Sequence, residues 1–569
     1  MNCAATNRRV NPSEDEVFLL GNATVRGGWA ETRPAIRSVR VAWDADVQVI
    51  FENGRMQGSC FYSSSAGDFV IYAVDGELLA LDIATMRMRL IDIKRPFSSL
   101  SPFVWFCTRN RYLIAQDGIS PPVVINGMSA TQGTHPTREV PTGKMMAEGW
   151  GRLAVVAPNR RWIYFSNHES DPTSTSPLAF TEDTNYFANT RFFEVPRGLA
   201  RIVGMTFSPS LNGGSDVGPL TVFCERGVIA YDISIPRDSW ASSDITTTIF
   251  NSIGACAHAA ITPRGNDILF SDHNGRIQTL RSAISRQEDA SVAILDSKVW
   301  PVYEREEGSL RRHRIAIRFN ERILTAVLPE RHRINRGHFA VRHRALMVLQ
   351  ETPAIPRNPV WDGIWTGVQP TSMTVAAANG AERCFIASLD DDGIQRLYEL
   401  TSDSGDDHGR FGSSPIPMIV GLNGSDLGSP FLPKPHKSAV LRLGAINGNV
   451  AINGFWQKDR GIPQLWFTAR EASAARPFGS CDGLSFPLPQ SRPRLNLPKP
   501  SGKTAVYYEV APWFEITGSA RLEEVTIESK DAKPAPDSVD VSCAKSESPP
   551  IYDCPPSPFK YRIHHAPAS

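Results

Sequence analysis

One unit recurs along this chain and restricts what it can fold into: a short apolar strand, a tight turn, usually with glycine, and a second short strand. Phe69-Val70-Ile71-Tyr72-Ala73-Val74 runs into Asp75-Gly76 and returns as Leu78-Leu79-Ala80-Leu81-Asp82-Ile83. Tyr112–Gln116 passes Asp117-Gly118 into Val123-Val124-Ile125. Leu153–Ala157 turns at Pro158-Asn159 into Trp162–Phe165, and Leu220–Cys224 turns at Arg226-Gly227 into Val228–Tyr231. Ile268–Ser271 and Asn274-Gly275 precede Ile277–Leu280, and Cys384–Ala387 and Asp392-Gly393 precede Arg396–Leu400. Aspartate-glycine and asparagine-glycine suit two-residue hairpins because glycine tolerates positive φ. Many short strands without helical periods predict an all-β sandwich, barrel or propeller.

The interval between units narrows the choice. Turn glycines 76 and 118 are 42 apart, and 227 and 275 are 48 apart, close to the ~40–50 residues of a four-stranded propeller blade. The last interval, 393 − 275 = 118 residues, must hold an insertion or further strands. We therefore expect a β-propeller of about six blades over residues 55–400, with a pair of sandwiches as the other architecture. Residues 401–414 read as a polar linker and 415–528 as a further β domain. Residues 1–54 are expected to pack with that domain, because their strands have no partner in the first blade. Residues 529–569, rich in Pro, Ser and Lys, read as an extended tail.

Charge and cysteines set the class. Lys and Arg total 60 against 59 Asp and Glu, so the whole chain is not steered to nucleic acid or acidic lipid. The nine cysteines form no Cys-x-x-Cys pair, which fits a reducing cytoplasm better than a disulfide or zinc scaffold. The N-terminus has no apolar signal stretch. No apolar run approaches the ~20 residues that span a bilayer, so no membrane insertion is expected.

Site chemistry is sparse. Gly502-Lys503-Thr504 ends like a phosphate-binding loop, but Leu497 stands where its first glycine belongs. Asp390-Asp391-Asp392 and Asp403, Asp406 and Asp407 lack calcium-loop spacing and read as solvated turns. No catalytic, cofactor or metal residues are assigned, and the chain is expected to be non-enzymatic. The anomaly is basic: residues 311–344 hold ten arginines against Glu321 and Glu330. Arg311, Arg312, Arg314, Arg318, Arg331, Arg333 and Arg336 are the candidates for contact with a neighbouring subunit or with DNA, since guanidinium forks match carboxylate and phosphate alike.

The stretch Gly21-Asn22-Ala23-Thr24-Val25-Arg26-Gly27-Gly28-Trp29-Ala30-Glu31-Thr32-Arg33-Pro34-Ala35-Ile36-Arg37 resembles the opening of tail-nozzle proteins of short-tailed bacteriophages. These are also called tail tubular protein B or packaged-DNA stabilisation proteins. Ala35 replaces the glycine of that pattern. Ile202–Met205 with Tyr231, Gly254–Ala257, and Asp426–Phe431 with Lys434 and Lys437 extend the resemblance over most of residues 20–470. The resemblance implies a homo-oligomeric, usually six-membered ring below the head-tail adaptor protein. Tail fibre or spike proteins would be neighbours, and duplex DNA would pass transiently through the ring lumen. It implies a place in the virion tail after assembly in the host bacterial cytoplasm. A glycan-binding or glycan-cleaving tail propeller and a cellular propeller scaffold are the other readings.

Overall fold

The computed structural model describes residues 17–26, 29–132, 140–170, 178–180, 193–209, 217–240, 243–250, 253–264, 267–272, 276–281, 283–284, 314–327, 345–350, 360–378, 380–390, 392–401, 407–409, 412–422, 434–459, 461–472, 494–498, 506–529 and 562–565. The chain divides into two compact units. One comprises Met1–Ile36, Asp362–Thr366 and Ser402–Ser569, and the other Arg37–Trp361 and Gly367–Thr401.

The larger unit is a β-propeller, as the recurring unit predicts. Six separate sheets build it, each an antiparallel meander of neighbouring strands. The first runs Met56–Ser64, Gly67–Val74, Glu77–Asp82, Arg87–Ile91, with Ala42–Trp43 added in parallel at its edge. The next four span Trp105–Gln132, Met146–Glu194, Ile202–Phe250 and Thr262–Thr279, and the last Pro370–Leu400. A further antiparallel ladder, Arg314–Phe319, Arg322–Val327 and Ala345–Gln350, occupies the long interval between glycines 275 and 393.

Burial explains why these segments are strands. Gly67–Val74 is buried from Phe69 to Val74, because both faces of a blade pack on neighbouring blades and alternation gives way to a continuous apolar run. Several of the turns after a second strand are tied to the chain entering the next sheet. Phe97 N–H donates to Gly76 O at 2.9 Å, Ile202 N–H to Arg160 O at 2.8 Å and Ala255 N–H to Cys224 O at 2.8 Å. A side chain makes the same tie elsewhere: Gln116 Oε1 accepts from Gly143 N–H at 2.7 Å; within one sheet, Asp117 Oδ2 accepts from Ser98 N–H at 2.8 Å.

Gly76 is fixed twice over. Its φ is +91°, and a Cβ there would lie 2.2 Å from Phe97 O. Gly76→Ala is expected to cost about 1–3 kcal/mol, the scale of a strained left-handed residue. Chemical denaturation with a fluorescence readout checks this, and an unchanged midpoint would mean that the tie is dispensable.

The ring is closed by residues that the sequence assigned elsewhere. Val39 N–H donates to Leu397 O of the last sheet at 2.9 Å. The helix Ala45–Asn53 turns Val47 and Phe51 inward, and Phe51 packs with Tyr72, Leu79, Ala387 and Leu397. Residues 37–54 thus belong to the propeller unit, a correction to the expected boundary at residue 54. Here long-range packing overrides chain proximity.

The smaller unit is built on two long strands, Lys434–Lys458 and Val510–Ser529. They pair antiparallel from His436↔Ser529 to Lys458↔Val510. Register shifts between Arg442 and Ala451 bend the ladder. The His436 and Trp456 rings lie 5.4 Å apart although 20 positions separate them on one strand, so its two halves face each other. Leu441, Leu443, Val450, Ile452, Phe514, Ile516, Leu522 and Val525 fill the space between. Val510–Ser529 alternates buried and half-buried positions along most of its length, the period of a strand with one face on a core. Pro417–Leu422 and Trp29–Thr32 pair with it, and Val17–Gly21 pairs with Pro417–Leu422.

Two expectations are corrected in this unit. The linker 401–414 contains a paired hairpin, Asp407–Gly409 with Gly412–Ser414, so Asp407 does not sit in a free polar turn. In the expected tail, Arg562–His565 adds a parallel strand beside Thr526–Ser529, since the exposed ladder edge there offers unpaired backbone groups.

Candidate functional site: the axial cavity and the Arg33 knot

The first strands of the sheets surround a cavity of about 320 Å³ on the propeller axis. Met56, Met145, Met146, Met205 and Met373 supply much of its wall, with Phe103, Trp105 and Phe106. Methionine is flexible and polarizable and fills irregular space between blades. His258 sits edge-on to Phe103 at 4.4 Å between ring centroids and 5.6 Å from Trp105. Ser59 shares hydroxyl hydrogen bonds with Ser372 and Thr374. Among the described residues no Asp, Glu, Lys or Arg lines the cavity.

The cysteines here are inert. Burial pushes the Cys60 thiol well above its ordinary range and that of Cys107 up to about 12. Neither is a thiolate at neutral pH, so neither is an activated nucleophile. The cavity wall thus combines Met and aromatic side chains with the polar groups of Gln57, Ser59, His258, Thr371 and Ser372.

The Arg-rich segment is only partly described. Arg311, Arg312, Arg331, Arg333 and Arg336 lie outside the described residues, as do the Gly502-Lys503-Thr504 and Asp426–Phe431 motifs. Arg314 and Arg318 lie on the Arg314–Phe319 strand, where Arg318 is exposed. The same strand turns Ile315 and Ile317 to the axial cavity. Arg322, next in the basic run, is buried. Among the described residues of the segment, which form paired strands, Arg318 is therefore on the surface and Arg322 in the interior.

Asp390 forms a turn but is not solvated: its Oδ1 accepts from Ile394 N–H at 2.8 Å and from Asp392 N–H at 3.0 Å, and its Oδ2 lies 3.4 Å from Arg396 Nε. No group of three or more His, Cys, Asp or Glu among the described residues is arranged to hold a metal.

In the smaller unit, Arg33 forms a buried polar knot. It is 1% exposed and uses all five N–H donors. Nε donates to Asn22 Oδ1 at 3.0 Å. Nη1 donates to Pro34 O at 2.8 Å and Asp407 Oδ1 at 2.9 Å. Nη2 donates to Thr366 O at 2.8 Å and Asp407 Oδ2 at 2.5 Å. Asn22 in turn donates to Pro417 O and accepts from Thr366 N–H. One guanidinium thus joins the N-terminal segment, residues 362–366 and the start of the C-terminal segment. The sequence pattern Thr-Arg-Pro flagged Arg33 but gave no sign of Asp407, 374 positions away.

Fold and sites together define an all-β propeller protein with a second β unit. No protein-family model matches the chain, and no curated protein matches it. Solved structures do resemble it. The RRP9 WD40 repeats match at 10% identity with a TM-score of 0.34, over 65% of this chain and 99% of that one. BamB from Moraxella catarrhalis matches at 12% identity and 0.34, over 67% and 94%. A chain of the mitotic checkpoint complex matches at 10% and 0.38, over 65% and 94%. At such identities the likeness concerns the fold alone.

Proposed function

We propose that this chain is a non-enzymatic structural component of a bacteriophage tail. It is the subunit of a nozzle ring that lies below the head-tail adaptor, retains packaged DNA and lets it pass on ejection. The observation that carries the reading is the Arg33 knot. The segment bearing the family resemblance, residues 21–37, supplies Asn22 and Arg33, which tie three distant chain segments together. A motif that serves architecture rather than chemistry suits a structural part.

The cavity dimensions agree with this. At about 320 Å³, the axial cavity has no room for a duplex whose major groove alone is ~12 Å wide. DNA would pass between copies, through the lumen of a cyclic assembly with head-to-tail contacts. The exposed Arg318 and its neighbouring arginines would face either the next copy or the passing phosphates.

Negative-stain imaging of the purified full chain, alone and with the adaptor protein, tests the reading. Closed rings, predominantly of six copies, are expected, and Arg318→Glu should weaken them. A monomer under both conditions at the highest soluble concentration would overturn it.

A further inference from the structure

Methionines reach the axial cavity from the first strands of four different sheets: Met56, Met146, Met205 and Met373. Met145 joins them just before the third sheet begins. Each thioether carries a polarizable sulfur that packs favourably on aromatic rings. Three rings in mutual contact form another part of the wall. Phe103 and Trp105 lie 6.0 Å apart between centroids, and His258 lies 4.4 Å from the first and 5.6 Å from the second. All three are half-buried, so their contacts with one another do not use up their surface. A flat guest can meet them edge-on or offset, the arrangements that aromatic pairs prefer.

Volume and charge restrict that guest. An apolar cavity of about 150 Å³ takes one benzene ring. At about 320 Å³, this one has room for two fused rings, and it falls within the range of small-molecule pockets. Among the described residues no ionisable Asp, Glu, Lys or Arg lines it, so a charged guest would be desolvated without a counter-charge.

A hydroxyl cluster gives the guest a direction. Ser59 Oγ is within hydrogen-bond reach of both Ser372 Oγ and Thr374 Oγ1, and Ser59 and Ser372 line the cavity. Three hydroxyls carry three protons, and the two contacts use two of them. When Thr374 donates to Ser59 and Ser59 to Ser372, the remaining proton sits on Ser372 at the cavity wall. Ser372 is buried, and a buried donor without an acceptor carries a desolvation cost that an acceptor on the guest removes. Other polar groups of the wall are already committed. The Gln57 amide donates to Ser98 O and Ser101 O and accepts from Gly76 N–H. The Thr371 hydroxyl is held by Ala387 O and Gln395 Oε1.

We propose that the axial cavity binds a neutral two-ring aromatic compound whose acceptor atom takes a hydrogen bond from the Ser372 hydroxyl. The site lies within the propeller unit and does not depend on the tail reading.

Quinoline, two fused rings with one ring-nitrogen acceptor, is the probe, and naphthalene is its counterpart without the acceptor. Both are titrated in neutral buffer into the full chain carrying isotope-labelled methionine methyl groups, followed by NMR. Saturable shifts are expected for Met56, Met145, Met146, Met205 and Met373, assigned from single Met→Leu variants, while Met86, Met128 and Met418 stay in place. Ser372→Ala should weaken quinoline about fivefold, the scale of one net hydrogen bond, and leave naphthalene unchanged. Absence of saturable shifts with either probe in the parent chain, or shifts centred on Met86, Met128 and Met418, would overturn the site. Equal affinity of the parent and Ser372→Ala for quinoline would overturn the acceptor requirement.

Discussion

Replacing Arg33 by Met should destabilise the smaller unit by about 3–5 kcal/mol, the scale of removing one partner from a buried ion pair. The loss comes from several places at once. Asp407 keeps its charge but loses both guanidinium donors, and only the Ile36 N–H bond at 2.8 Å remains to its Oδ1. The carbonyls of Pro34 and Thr366 and the Asn22 side chain also lose donors. Buried acceptors without donors each carry a desolvation cost. The paired substitution Arg33→Met with Asp407→Leu should recover part of the stability, since it removes the unpaired charge. Hydrogen exchange read over residues 20–36 and 407–422 localises the effect. A loss below about 1 kcal/mol, a magnitude typical of surface ion pairs, would show that the knot does not organise the unit.

Phe51→Ala is the second large effect, at about 3–5 kcal/mol for truncating a buried aromatic. Phe51 is fully buried, with Tyr72 edge-on at 5.6 Å and Trp43 at 5.2 Å. Its carbonyl accepts from Gln395 Nε2 of the last sheet at 2.8 Å. The first and last sheets meet at this residue, so the cavity left by alanine should loosen ring closure before the middle blades. Faster amide exchange is therefore expected in Glu77–Asp82 and Gln395–Leu400 than in Arg152–Val156 or Val217–Cys224. Uniform exchange across all sheets, or a loss confined to the smaller unit, would place the helix Ala45–Asn53 outside the closure.

The sequence by itself determined the repeating part of this protein. Alternating and continuous apolar runs, each ended by aspartate-glycine or a similar turn, leave few options but strands. Their spacing near 42–48 residues favours a radial stack of sheets over a pair of sandwiches. The reason is local: glycine at positive φ and β-branched or aromatic residues between turns restrict the backbone wherever they occur. The long gap between glycines 275 and 393 announced extra strands for the same reason, and the ladder of residues 314–350 fills it.

Tertiary structure alone decided what meets what. Arg33 and Asp407, and Phe51 and Leu397, are joined by packing between segments that share no local pattern. The split of the basic segment, with Arg318 out and Arg322 buried, required the register of its ladder, because a one-residue slip exchanges the two faces. The bend that folds Lys434–Lys458 back on itself needed the partner strand. Gly518 there takes φ +110°, with Asn449 O only 2.5 Å from where a Cβ would stand. Turns and periods follow from a few neighbouring residues, whereas domain boundaries and buried charges follow from chain segments brought together only by folding.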